Sequence, residues 1–266
     1  MNDRPSVMVV GNFDGLHLGH QALFARARLL ADERGAKVVA ATFTRHPISV
    51  LRPGQAPATI LHREQRQQAL LAAGVDEIDW LEPEGALLNM TPRKFLEKMR
   101  DEYGAVAMVE GMNFRFGHGR AGDTRLLEQL GGEMGFEAVV VPLVTVALRD
   151  KLLARTSSTL VRWLIGQGRM ADVTLCLGRA WELRGTVMEG ERRGRRLGVP
   201  TANLDTGVQM LPADGVYGGA ATVDGRRYAV ALSVGAKPTF DQPVRVAEAH
   251  LIGFEGDLYG RTVDVG

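Results

Sequence analysis

The sequence predicts an α/β protein: an N-terminal doubly wound parallel sheet, followed by a small antiparallel β structure, either barrel or sandwich. Three observations carry this expectation. Apolar runs alternate with helix-like stretches from Ser6 to about Gly168. After about Leu177 the rhythm changes to short β-rich runs punctuated by glycine. Within that second part, Asp224-Gly225 separates two strand-like runs, a strong hairpin signal.

Five strands are expected in the first part, at "SVMVV", "KVVAATF", "DEIDWL", "AVAMVEG" and "FEAVVVPLV". Helices are expected to begin near Gly19, His62, Thr91 and Asp123. Thr91-Pro92 is a good start signal, an N-cap residue followed by proline at the first helical position. In such a sheet ligands bind beyond the carboxyl ends of the strands. That rule gathers Gly11–Gln21, Thr42–Pro47 and Gly111–Gly122 on one rim, because each follows an expected strand. The stretch "SSTLVRWLIGQGRMADVTLCLGRAW" reads as a closing helix and a connector. In the second part, "RGTVMEG", "GVYGGAATVDGRRYAVALSVG" and "AEAHLIGF" are the β-rich runs. The expected domains are 1–175 and 176–266.

Composition narrows the class. The 266 residues suit one large or two modest domains, and 45% hydrophobic content is enough for proper cores. No stretch approaches the apolar length of a membrane span, and "MNDRPSVMVV" lacks the pattern of a secretory leader. A single cysteine, Cys176, excludes an intramolecular disulfide and an all-cysteine zinc site. The expectation is a cytoplasmic protein. A formal net charge of +1 gives no global reason to expect nucleic acid or an anionic membrane as partner.

The stretch "GNFDGLHLGHQ", Gly11 to Gln21, lies between an expected strand and an expected helix, the arrangement that holds phosphate. Gly11 and Gly15 permit close backbone approach, with Phe13 and Asp14 in the same turn, and Gly19 lets the helix begin against the ligand. His17 and His20 can donate ring N–H groups to phosphate oxygens, where charge grows during phosphoryl chemistry. A zinc site is disfavoured because no third ligand of suitable spacing is evident. In "LARTSSTLVRWL", Ser157, Ser158 and Thr159 can simply cap the following helix. The same helix start, with Arg155 or Arg162 adding charge, can also hold a phosphate. Beside the histidine motif, a shared phosphate site is the better reading.

These residues carry a resemblance. "GNFDGLHLGHQ" resembles the signature of the nucleotidyltransferases that use an HxGH element. "MNFRFGHGRAGD" and "RTSSTLVR" resemble, more closely, the bacterial bifunctional riboflavin kinase/FMN adenylyltransferases, the FAD synthetases. The likeness continues in "LGRAWELRGTVMEGERRGRRLGVPTANL", "LPADGVYGG", "SVGAKPTF" and "EAHLIGFEGDLYG", spanning essentially the whole chain in the family's order. It implies a Rossmann-like nucleotidyltransferase domain that transfers AMP from ATP to FMN, and a riboflavin kinase-like barrel. By the same resemblance His17 and His20 hold the ATP phosphates, and Asn113 helps orient the nucleotide. Arg155 and Ser158 flank the triphosphate from the other side, with Mg²⁺ assisting. His118 lies on the same rim and reads as a solvated loop histidine.

Nothing in the second part spells a Walker loop or a protein-kinase glycine loop. In "GRRLGVPTANL", Gly194 and Gly198 allow a flap, while Thr201 and Asn203 offer hard oxygens suited to Mg²⁺. Ordinary turn residues entering a strand are the plainer reading of that stretch. The resemblance implies that Thr201 and Asn203 form the magnesium and ATP site, and that Glu248 is general base for the riboflavin 5′-hydroxyl. A surface strand charge is the plainer reading of Glu248. Four arginines in Glu191–Arg196 can solvate a flap or grip nucleotide phosphates, and RNA is the weakest of their candidate ligands.

The chain departs from the family in two places. It stops at "DLYGRTVDVG", where the family continues with another strand and C-terminal helices, so a C-terminally shortened kinase domain with an unpaired edge strand and an uncovered face is expected. "TFTRHP" also departs from the usual glutamate-proline loop, which touches expected flavin contacts near Thr44 and Arg45. The expected function is two-step flavin cofactor synthesis, riboflavin to FMN to FAD. The alternatives are adenylylation alone, or a flavin- or nucleotide-responsive binding module without turnover. A transient homo-oligomer is compatible with the sequence.

Overall fold

The computed structural model describes residues 4–189, 201–237 and 244–266. Two compact units make up the chain. The first comprises Met1–Pro57, Arg63–Val146 and Leu153–Ser157; the second comprises Ala58–His62, Ala147–Leu152 and Ser158–Gly266.

In the first unit the alternation of the sequence becomes β1 (Ser6–Gly11), α1 (Leu18–Arg34), β2 (Lys37–Phe43), α2 (Ile48–Leu51), α3 (Arg63–Ala72) and β3 (Glu77–Leu81). There follow α4 (Gly85–Leu88), α5 (Pro92–Tyr103), β4 (Ala105–Gly111), α6 (Thr124–Met134) and β5 (Glu137–Val141). The five strands are parallel in the order β3-β2-β1-β4-β5. Because strand side chains alternate between faces, Val7 and Val9 pack with Phe24, Leu30 and Leu70 of α1 and α3. Met8 and Val10 pack with Leu96 and Met99 of α5 and Leu127 of α6 on the opposite face. Each fully buried side chain of this size contributes roughly 1.5–3 kcal/mol. Helix α5 starts as its sequence predicts: Pro92 opens it, and the Thr91 side chain accepts the Lys94 N–H at 3.3 Å.

The strand order reverses direction between β1 and β4, so the crevice above them is the topological switch point where ligands bind such sheets. After β5 a ribbon of β6 (Thr145–Ala147) and β7 (Leu153–Arg155) forms a separate two-stranded sheet, which the sequence reading passed over. Its strands are too short to carry a periodic signal.

The second unit contains α7 (Ser158–Gly166) and α8 (Met170–Leu177), so the stretch read as one helix and a connector is two helices. Both belong to the second unit. There follow β8 (Leu183–Met188), β9 (Ala202–Asp205), β10 (Gly215–Val223), β11 (Arg226–Lys237), β12 (Val244–Leu251) and β13 (Thr262–Val265). They close into an antiparallel barrel in the order β10-β11-β12-β9-β8-β13. The Asp224-Gly225 turn has positive φ at both residues, 51° and 75°, as a two-residue hairpin requires. Alternate residues such as Leu232, Val234, Ala247, Ala249, Val263 and Val265 fill the interior.

The expected unpaired edge is corrected by β13. It pairs with β8 from Thr262↔Thr186 to Val265↔Leu183, and with β10 at Ala221↔Val265. Ala220 and Gly266 then exchange both backbone hydrogen bonds, at 2.8 and 2.9 Å. The alternation of Val263 and Val265 is what lets so short a strand close the ring, since both side chains are buried inside it.

Candidate active sites

The first site forms where β1 ends. Three residues of the following turn take the left-handed backbone region, Phe13 at φ 46°, Gly15 at 87° and Leu16 at 42°. This conformation turns Phe13 and Leu16 into the core, where they are 0% and 2% exposed. Phe13 therefore meets Phe24 and His20, with ring centroids 4.9 and 5.3 Å away, and its side chain lies in the core beneath the turn. Asp14 is buried in the same turn, and its charge acts on Arg66. The turn ends at His17, the N-cap of α1, whose Nδ1 accepts the backbone N–H of His20 at 3.4 Å. A ring accepting at Nδ1 is neutral with its proton on Nε2, which leaves a donor for a phosphate oxygen.

His17 and His20 stack, with centroids 3.7 Å apart and planes 24° from parallel. Burial lowers the pKa of His17 to about 4. Burial, reinforced by the neighbouring His17, pushes His20 well below the usual imidazole range. His20 Nδ1 is buried without a hydrogen-bond partner. Two neutral imidazoles at the start of a helix, one with an unspent ring nitrogen, suit a polyanion that brings its own charge.

The "RTSS" stretch enters this site through a residue the sequence reading did not single out. Thr156 Oγ1 accepts the Gly19 N–H at 3.2 Å and donates to Val144 O at 3.2 Å. A Cβ at Gly19 would stand 3.0 Å from the His17 ring and 3.1 Å from Thr156 Oγ1, so any larger residue would press on both. Arg155 and Ser157 flank Thr156, with Arg155 exposed at the end of β7. Ser158, Thr159 and Arg162 belong to α7 in the second unit, where Arg162 Nε donates to Ala58 O at 2.7 Å.

The rim is clamped by a second residue that the sequence did not reveal. Arg66 of α3 donates to Asn12 O at 2.9 Å and to Phe43 O at 2.8 Å, tying together the loops after β1 and β2. Its guanidinium lies over the Trp80 ring at 4.7 Å. "REQRQQ" reads as a solvated helix face, so nothing local distinguishes Arg66 from Arg63. On the other side of the switch point, the loop after β4 is anchored by Phe116, buried and stacked on Phe114 at 5.3 Å. Asn113 sits exposed in the turn above Gly111, and His118 is exposed as expected.

The second site lies on the barrel wall. Glu248 of β12 is directly opposite Asn203 of β9 in the antiparallel register, and Ser233 of β11 is opposite Glu248 on the other side. Ala247 and Ala249 point inward, each 1% exposed, so Glu248 and Asn203 share the outer face. Thr201 is exposed and immediately precedes β9. Gly194 and Gly198 lie outside the described residues, as does Glu191–Arg196. Among the described residues, no group of three or more His, Cys, Asp or Glu side chains could hold a metal ion. A hydroxyl and an amide oxygen beside a carboxylate are nevertheless hard donors of the kind Mg²⁺ accepts when phosphates and water complete its shell.

A strand–turn–helix carrying two neutral imidazoles at the switch point of a parallel sheet, followed by a six-stranded barrel, fits a two-unit nucleotide-handling transferase. The family model described as FAD synthetase matches residues 1–155, and that described as riboflavin kinase matches residues 177–266. The chain belongs to the bifunctional riboflavin kinase/FMN adenylyltransferase family. Its similar relatives include the protein of that name from Pseudomonas fluorescens, 34% identical over 98% of this chain and 83% of the relative. The Escherichia coli (strain K12) protein is 30% identical over 97% of this chain and 82% of its own length. A crystal structure described as a macrolide-efflux protein from Streptococcus pneumoniae superposes with a TM-score of 0.90 at 31% identity. It covers 100% of this chain and 85% of its own. Among the described residues, no helix is long and apolar enough to cross a membrane.

Proposed function

We propose that this protein phosphorylates riboflavin to FMN with ATP and then transfers AMP from a second ATP to FMN, giving FAD and pyrophosphate. The observation that carries the reading is the pairing of His17 with His20 at the switch point, braced through Gly19 by Thr156. In the adenylyl step a phosphate oxygen of FMN attacks the α-phosphorus of ATP. The bond to the bridging oxygen breaks, and its electrons leave with pyrophosphate. The attacking group is already anionic, so this chain need only align the reactants and supply donors where charge accumulates. His17 and His20 are assigned to the triphosphate, with Asn113, Arg155, Ser157, Ser158, Thr159 and Arg162 as further contacts and Gly11 and Gly15 as close backbone approach.

In the kinase step Glu248 accepts the proton of the riboflavin 5′-hydroxyl as that oxygen attacks the γ-phosphorus and ADP departs. Thr201 and Asn203 would hold Mg²⁺, which supplies charge neutralisation for the transferring phosphoryl group. Support comes from the Glu248↔Asn203 register and from a barrel that is closed. Closure also favours the two-step reading over adenylylation alone. The functional domains are assigned to 1–175 and 176–266, with action in the cytoplasm on small molecules and without nucleic acid. Incubating the protein with riboflavin, ATP and Mg²⁺ should give FMN and then FAD. Absence of FAD when FMN is supplied directly overturns the reading.

A further inference from the structure

At the switch point β1 does not pair equally with its two neighbours. With β2 it is in register to its last residue, Gly11↔Thr42. With β4 the register shifts between Ser6 and Val7 and reaches only Met8↔Met108. Strand β4 itself continues, pairing with β5 as far as Gly111↔Val141. The β1–β4 seam therefore opens below the nucleotide loop, and an acidic side chain fills it. Glu110 is 1% exposed, and its Oε1 accepts the Val10 N–H at 2.8 Å, taking the place of a ladder carbonyl.

Val10 is the penultimate residue of β1, and the loop that follows runs from Asn12 to His17. On the β2 side, the carbonyl of Asn12 accepts from Arg66 at 2.9 Å and from Thr42 Oγ1 at 3.2 Å. Glu110 supplies the matching hold from the β4 side. We propose that Glu110 is a positioning residue for the nucleotide loop: its carboxyl, wedged in the β1–β4 seam, fixes the root of the loop and so the places of His17 and His20. Burial raises the pKa of this carboxyl well above the usual carboxylate range, opposed only by the Val10 N–H.

The role rests on the adenylyl-transfer reading for its functional consequence, but the hold itself is measured separately. Glu110→Gln keeps length and a carbonyl acceptor, Glu110→Asp keeps the acid but not the reach, and Glu110→Ala removes both. In FAD formation from FMN, Glu110→Gln should stay within about threefold of the wild type. Glu110→Asp and Glu110→Ala should lose roughly 10- to 100-fold in kcat/KM, mostly through KM for ATP, as misplaced contacts do. Riboflavin phosphorylation by the same molecules should be unchanged. Amide hydrogen exchange should accelerate at Val10 and through Gly11–His20 in Glu110→Ala, and not in Glu110→Gln. Equal losses in both activities, or wild-type exchange and KM in Glu110→Ala, overturn the proposal. A wild-type protein that makes no FAD overturns the function instead, and the exchange pattern still decides the role of Glu110.

Discussion

Thr156 Oγ1 accepts the backbone N–H of Gly19 at 3.2 Å, joining two motifs 137 residues apart. The first turn of α1 has no helical partner for that N–H, so a side chain on β7's end satisfies it and fixes where the helix begins. Thr156→Val removes both this acceptor and the donor to Val144 O. It should cost about 1–3 kcal/mol of stability and about tenfold in kcat/KM for FAD formation. Thr156→Ser should recover most of both. Thermal unfolding with steady-state kinetics checks this, and a Thr156→Val enzyme with wild-type kinetics contradicts it.

His20→Ala should lower FAD formation by roughly 100-fold or more, as removal of a donor to developing charge does. Phosphorylation of riboflavin and the circular dichroism of the protein should be retained, because the His20 ring touches Phe13 and His17 but lies outside the barrel. Turnover within a few-fold of wild type speaks against the assigned role.

Folding should depend on pH through the same rings. Burial lowers His17 from 6.5 to about 4, and burial together with the neighbouring His17 lowers His20 as well. Between those values the unfolded chain binds more protons than the folded one, so stability rises with pH across that window. The contribution is complete above about 6.5 and is lost as pH falls through about 4, on the order of 3 kcal/mol for His17. Urea unfolding from pH 7 to about 4 should give a steep slope in the wild type and a flatter one in His17→Asn. Identical slopes remove this account.

Glu248→Gln should abolish most riboflavin phosphorylation, by about 100-fold or more, while FAD formation from FMN continues unchanged. The two assays on one preparation separate the sites. Loss of both activities would mean that Glu248, opposite Asn203 on the barrel wall, serves stability rather than proton transfer.

Most of the first unit was legible because its strands and helices are long enough for period 2 and period 3.6 to declare themselves. The Thr91-Pro92 start and the Asp224-Gly225 turn were legible for a different reason: their chemistry is local. The roles of Thr156, Arg66 and Glu110 were hidden because each acts on a partner far along the chain, at Gly19, Asn12 and Val10. The burial of Phe13 was hidden because alternation says nothing about a turn whose backbone enters the left-handed region. The pairing of the last edge was missed because β13 has only four residues, and its pairing on both sides is a property of the ring rather than of the segment.

The left-handed residues of the nucleotide loop carry a kinetic consequence. Phe13 and Leu16 each bear roughly 1–2 kcal/mol of backbone strain, which their burial in the core offsets before any ligand arrives. A loop held in one shape by its buried side chains has no ordering step to wait for. Association of ATP with this unit should then be a single encounter, its observed rate rising linearly with nucleotide concentration and never reaching a plateau set by rearrangement.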